Sequence, residues 1–230
     1  MKKNIVIVGI GKTAQHVYEF IKDYNLYNVL GFSVNKAFMP QIKTLYNLPI
    51  FSLETIEKDI DIKRDYLFVA ILWNHLNAER KNIFDNLKSR DIRLANLISP
   101  KACIRSNIFG ENCWIHDNVV IQHNAVIGDN VIVMTGSLIG ADSLIEDHCF
   151  LGAKSTIAGG CHIGEQAFIG LNATVFDDTT IGKKCIVGAC TAINRNISDF
   201  TLVKTKTSQS ITQYDEKMIE DKLVSQKNIR

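Results

Sequence analysis

The chain has only 3 prolines in 230 residues, and none follows Pro100. Its second half is therefore free of the residue that breaks stacked backbone ladders. No apolar run approaches the roughly 18 residues that a membrane-crossing helix needs. Lys2 and Lys3 precede a strand-like stretch rather than the apolar core of a signal peptide, so a cytoplasmic protein with no membrane partner is expected. The net charge is only +2 and basic residues are scattered, which argues against a nucleic-acid partner. The 6 cysteines, at positions 103, 113, 149, 161, 185 and 190, include no CxxC pair. Neither a disulfide framework nor a metal site is expected from that spacing, and reduced thiols suit the cytosol.

What the chain does contain is a repeat. From Phe109 through Ile115, Ile121 and Ile127 to Ile193, every sixth residue is large and apolar. With about a third of residues being Val, Ile, Leu or Phe, a chance run of this length has odds on the order of 10⁻⁷. Four residues after each bulky position comes a smaller one, such as Cys113, Ala125, Ser137, Cys149, Ala167 or Cys185. A helix would spread a six-residue period around its surface, whereas a strand keeps offsets of four and six on one face. The pattern predicts a parallel β-helix, each coil burying its apolar face against its neighbours. Gly128, Gly140, Gly152, Gly164, Gly170, Gly182 and Gly188 directly follow bulky positions and are read as tight bends.

Residues 1–98 have a different texture. Asn4 to Val8 reads as a buried strand, followed by the turn Gly9-Ile10-Gly11-Lys12-Thr13-Ala14 and an amphipathic helix to about Tyr24. A strand at Val29–Val34, a helix-like piece at Leu53–Asp59, a strand at Tyr66–Leu72, a helix at Asn77–Ser89 and a strand at Arg93–Leu97 complete an alternating α/β pattern. The GxGxxA turn lets backbone amides and a helix N-terminus approach a phosphate. Dinucleotide binding would require an acidic residue at the end of the second strand, where Ser33 and Asn35 stand. A nucleotide-sugar site and a purely structural turn both remain open.

The stretches Gly140 to His148, Gly159 to Gly164 and Ala167 to Ala173 resemble the hexapeptide acyltransferases, and in particular the bacterial N-acetyltransferases of nucleotide-linked amino sugars, often called sialic-acid O-acetyltransferase-like. The resemblance, which weakens after Phe200, implies a small Rossmann-like domain (1–98) and a left-handed parallel β-helix of hexapeptide repeats (99–197). A terminal coil needs a cover, so residues 198–230 read as a capping strand and loop with a short charged helix at Glu216–Val224. The resemblance also implies a homotrimer that uses acetyl-CoA or another acyl-CoA. Gly9, Gly11, Lys12 and Thr13 would face the phosphate or sugar of the nucleotide-linked amino sugar, with Ser33, Asn35 and Lys36 by the base. Trp73, Asn74, His75, Asn77 and Arg80 open a helix at the carboxyl edge of the sheet, where either ligand contacts or helix caps belong. The CoA arm would touch Phe150, Leu171 and Ala189, with Lys183, Lys184 and Arg195 near its phosphates.

Acyl transfer from a thioester to an amine needs an aligned nucleophile, a proton acceptor and donors for the oxyanion. If one coil is three hexads, His123, Ala141 and Gly159 form a vertical column. In the resembling enzymes a histidine followed by an acid occupies the place of Ala141; here Asp142 remains and the histidine is absent. Three explanations stand: an engineered His-to-Ala change, a base that is natively dispensable, or a non-catalytic relative. Restoring the histidine is expected to raise kcat/KM by at least about tenfold, since a positioned base contributes about 10² to 10⁴. His123 and His148 are substitute bases, His116 and His162 lie off the column, and Gly159 is the candidate oxyanion donor. Sugar O-acetylation and a silent scaffold or regulatory subunit are the competing functions.

Overall fold

The computed structural model describes residues 2–72 and 74–205. The charged helix expected at 216–224 and Trp73 lie outside the described residues. Four parallel strands, β1 (Asn4–Val8), β2 (Asn28–Val34), β4 (Leu48–Ser52) and β5 (Tyr66–Val69), form the first sheet, in the order β4-β2-β1-β5. A short β3 (Thr44–Leu45) pairs antiparallel with β4 through Tyr46-Asn47, both at positive φ (52° and 61°) as a two-residue hairpin turn requires. Leu94 extends the other edge by bridging Leu67, a shorter contact than the strand expected over 93–97.

Side chains alternate across β1, and so two cores form. Ile5 and Ile7 pack with Ala14, Val17 and Ile21 of helix α1 (Lys12–Asp23). Val6 and Val8 pack on the other face with Phe84 and Leu87 of helix α2 (Ala78–Ser89) and with Leu53 and Ile56 of a 3₁₀ segment at Leu53–Lys58. The first core runs without a break into the second half of the chain, taking in Leu97, Trp114, Ile132 and Phe150.

That second half is a parallel β-helix. Two-residue strands repeat every six residues and pair in register eighteen apart: Trp114 with Ile132, Ile132 with Phe150, Leu138 with Thr156, Leu144 with His162. Three sheets result, and the bulky residues Ile115, Ile121, Ile127 and their successors point inward, fully buried together with Cys113, Val119, Ala125, Cys149 and Cys185. Burial pushes the Cys113 thiol up to about 12, so these cysteines act as compact apolar residues. The coil extends beyond the strict repeat: Leu97–Ile98 pairs with Trp114–Ile115 at one end, and Leu202–Val203 pairs with Ile186–Val187 at the other.

The glycines that follow the bulky positions are not the bends. The corner is made three residues after each bulky side chain, by Asn112, Asn118, Asn124, Asn130, Asp142, Asn172 and Asp178 in the left-handed region, with Gly136 and Gly160 at the same phase. Gly140 is instead required by close approach: a Cβ there would lie 2.5 Å from the Ala158 carbonyl carbon and the Gly159 nitrogen of the next coil.

Candidate functional site

Two separate features of the chain have the makings of a site. The first is a cleft of about 930 Å³ at the carboxyl edge of the first sheet. Gly9, with φ of 125° and room for no more than a tight Cβ (3.1 Å from the Ala70 carbonyl oxygen), turns the chain from β1 into α1. Gly11 caps α1 without a side-chain partner and no acidic residue lies in the first turn. Unpaired amides at a helix start and its positive dipole end thus meet the cleft. Gly9, Gly11, Thr13, Ser33, Asn35 and Asn74 line it as expected, and Ser33 Oγ is buried there with no hydrogen-bond partner. Lys12 and Lys36 are not among its walls. The Lys36 amide donates to both Glu54 carboxylate oxygens (2.9 and 3.0 Å); the Ser52 hydroxyl and this amide hold the Glu54 carboxyl below its ordinary range. Phe38, Glu79 and Asn82 also wall the cleft, and no local pattern in the sequence marks them.

Asn77 and Arg80 do not face that cleft. Arg80 is fully buried, and its guanidinium donates to the carbonyls of Val69, Ile71 (3.2 Å) and Asn112 (2.7 Å). Burial pulls it down to about 9, so it stays charged at neutral pH. Asn77 Nδ2 donates to the His148 carbonyl at 2.5 Å, and Gln166 Nε2 to the Leu76 carbonyl at 2.9 Å. These are staples between α2 and one corner of the coil. His148 belongs to them rather than to a catalytic column. A relay fixed by the Val69 amide runs through Asn112 and Asn130 to His148 Nδ1 (2.8, 2.7 and 2.9 Å). Its Nε2 lies 3.1 Å from Lys81 Nζ, and burial first, then Lys81, pulls its pKa down.

The second feature is the column itself. The Asp142 amide donates to the His123 carbonyl (3.1 Å) and the Gly160 amide to the Ala141 carbonyl (2.9 Å), so residues 123, 141 and 159 stack on one corner. Asp177 continues the stack, since the Asp178 amide donates to the Gly159 carbonyl at 2.9 Å. Gly159 is not a positive-φ corner glycine; Gly160 is, at 66°. The Gly159 amide donates to Asp177 Oδ1 at 3.0 Å, so it is already occupied. Asp142 Oδ1 accepts from Asn124 at 2.9 Å. The residues expected around CoA are dispersed: Leu171 and Ala189 stack on a second corner, Lys183 and Lys184 are on the third, and Phe150 is buried against Phe168 on a coil face. Lys183 pairs with Asp199 at 3.8 Å, and Arg195 is exposed. His116 is packed on Trp114 (4.3 Å between ring centroids) and burial lowers it to about 4. His162 meets Glu146 at 2.6 Å. No group of His, Cys, Asp and Glu among the described residues has the arrangement to hold a metal, and no helix among them is long and apolar enough to cross a membrane.

The first domain touches the coil at the face of Trp114, Ile132 and Phe150 and at its two bordering corners. Tyr24 reaches Asp117 at 2.6 Å on one, and Asn77 and Arg80 hold the other. The 123/141/159 column is the third corner, opposite that face.

Residues 108–141 match the model of the bacterial transferase hexapeptide, and residues 144–167 and 160–195 that of the hexapeptide repeat of succinyl-transferase. Among solved structures, a histidine variant of perosamine N-acetyltransferase from Caulobacter crescentus, in complex with CoA and GDP-perosamine, is 29% identical, covers 86% of this chain and 92% of its own, and superposes with a TM-score of 0.75. The acetyltransferase domain of PglB from Neisseria gonorrhoeae, in complex with acetyl coenzyme A, is 22% identical over 92% of this chain and 100% of its own, with a TM-score of 0.76. WeeI from Acinetobacter baumannii shares the fold at 20% identity, 89% and 98% coverage and a TM-score of 0.74. No curated protein sequence matches the chain.

Proposed function

We propose that this chain, whose coil is a hexapeptide-repeat β-helix of the acyltransferase superfamily, transfers an acyl group, acetyl in the first instance, from acyl-CoA to the amino group of a nucleotide-linked amino sugar. The product would enter surface-glycan biosynthesis in the cytoplasm. One observation carries the reading: an anion-ready cleft at Gly9 and a stacked backbone column at Ala141 and Gly159 occur in the same two-part architecture as a neighbour described with CoA and GDP-perosamine. The cleft takes the nucleotide at the turn after β1, through the amides that open α1 and the side chain of Thr13, with Asn35 on the side of the base; the Gly9 amide is itself spent on the Ser33 carbonyl at 2.7 Å. The column takes the reacting amine. Because the column lies on the corner away from the first domain, one nucleotide-sugar acceptor meets both only when a second copy supplies one of them, which favours the homotrimer. The dispersed CoA residues, with Leu171 and Ala189 on one corner and Lys183 and Lys184 on another, are likewise brought to one ligand only by neighbouring coils.

Gly159 offers bare backbone to an approaching thioester, while its amide stays on Asp177 Oδ1 and is not the oxyanion donor in this arrangement. Ala141 favours a second reading, a non-catalytic relative that binds both ligands and turns neither over. The deciding experiment incubates the protein with acetyl-CoA and GDP-perosamine or UDP-linked amino sugars, reading free thiol and product mass. An amide is the expected product. An ester supports O-acetylation instead, and binding of both ligands without thiol release supports the silent relative.

A further inference from the structure

The corner that carries Ala141 holds a carboxylate whose position is set by the backbone. Asp177 sits above Gly159, and Oδ1 accepts the Gly159 amide hydrogen at 3.0 Å. Gly159 leaves its side-chain space empty: the point where a Cβ would sit is 3.5 Å from Asp177 Oδ1 and 3.5 Å from the Ala141 carbonyl oxygen. Asp177 therefore overhangs the gap directly above Ala141, oriented by a donor that cannot move. The His123 side chain, on the other side of Ala141, makes no hydrogen bond among the described residues, and Asp142 is turned away to Asn124 (2.9 Å). Among the described residues at this corner, Asp177 is the carboxylate both held and aimed at the gap; Asp178 packs over Gly160 instead.

We propose that Asp177 is the catalytic proton acceptor of the acyl transfer, a role that rests on the reading above. The amine nitrogen attacks the thioester carbonyl carbon, forming the C–N bond as the carbonyl π pair moves onto oxygen. The nitrogen is then cationic and far more acidic than a free ammonium, so a carboxylate is basic enough to take its proton. The oxygen pair re-forms the carbonyl, the C–S bond breaks, and the departing thiolate takes the proton from Asp177. Amide and CoA thiol leave, and the carboxylate is restored. No imidazole at position 141 is needed for this cycle.

Asp177→Asn keeps an oxygen for the Gly159 amide and removes the proton acceptor, so the fold is retained while chemistry suffers. With acetyl-CoA and the panel of GDP- and UDP-linked amino sugars, kcat is expected to fall by about 10² or more, with the KM for acetyl-CoA unchanged. Asp177→Glu, which moves the carboxylate by one methylene, should fall between the two. Adding Ala141→His to Asp177→Asn should restore at least about tenfold, because an imidazole then faces the same gap. A merely structural role for Asp177 would not be rescued from position 141. Asp178→Asn, at the neighbouring corner position, is the control and should leave turnover within about twofold. Full turnover in Asp177→Asn beside an active parent overturns the role of Asp177 alone. Absence of amide from every form, Ala141→His included, overturns the acyl-transfer reading and the role with it.

Discussion

Replacing Arg80 separates a ligand contact from a staple. Its guanidinium is fully buried, lies over the Phe68 ring with 5.4 Å to the centroid, and spreads one fork across three carbonyls, two on the sheet side at Val69 and Ile71 and one on the coil at Asn112. Arg80→Met fills the volume but leaves those carbonyls without their charged donor. Each buried carbonyl so orphaned costs about 1–3 kcal/mol, while release from the penalty of burying a charge returns part of that sum. A net loss of about 3 kcal/mol is expected. Arg80→Lys should recover little, because one ammonium does not reach carbonyls on both sides of the seam as a planar fork does. The assay is guanidinium chloride unfolding, read as the shift in midpoint at constant slope. A residue that contacts the nucleotide sugar behaves in the opposite way, with an unmoved midpoint and a raised KM. That second outcome would refute the staple.

Three further perturbations test other parts of the structure. Gly140→Ala drives a methyl against the backbone of the next coil, 2.5 Å from two of its atoms, and should cost about 2–4 kcal/mol in the same unfolding assay; an unchanged midpoint contradicts the stacking geometry. Gly9→Ala strains a residue at φ of 125° and should weaken nucleotide-sugar binding in calorimetry by at least about tenfold, and equal affinity would remove the turn from the site. Acid is the third. The folded pKa of His116 is about 4, below its ordinary 6.5, so its contribution is complete above about pH 6.5 and is lost as pH falls toward 4, by up to about 3 kcal/mol. His148 is shifted the same way and adds to the slope. His116→Phe keeps the contact with Trp114 and should flatten part of the urea-midpoint slope between pH 7 and 5; an unaltered slope refutes the assignment.

The coil was legible because its period is incompatible with a helix and its inward positions tolerate only two sizes of side chain. The corner chemistry is equally written in the chain, in Asn112, Asn118, Asn124 and Asn130 at one phase three residues past each bulky position, rather than in the adjacent glycines. Those glycines answer to a neighbour eighteen residues away, which no local propensity reports. The hairpin at Tyr46-Asn47 carries no such signal, because tyrosine rarely takes positive φ. For Arg80 and Asn77, ligand contact and helix cap both stay open in the sequence for a related reason: at the start of a helix beside a sheet edge, a polar side chain reads the same whether it faces ligand or a docked domain, and Asn77 does take the cap position of α2. Only the position of Asn112 and His148, far along the chain, decides it.

That seam also sets the geometry of any shared site. Three backbone-anchored contacts, Arg80 to Asn112, Asn77 to His148 and Gln166 to Leu76, hold α2 on one corner, while Tyr24 to Asp117 at 2.6 Å holds the end of α1 on the next. Two fixed edges and an apolar face between them leave the first domain no hinge on the coil. The Gly9 cleft is therefore carried rigidly on one side of a prism whose third corner bears Ala141, Gly159 and Asp177. On the proposed reading, joining cleft to column is left to the packing of one coil on another, so substitutions where two coils meet should alter acceptor preference, read as kcat/KM across the amino-sugar panel, without touching either half of the site.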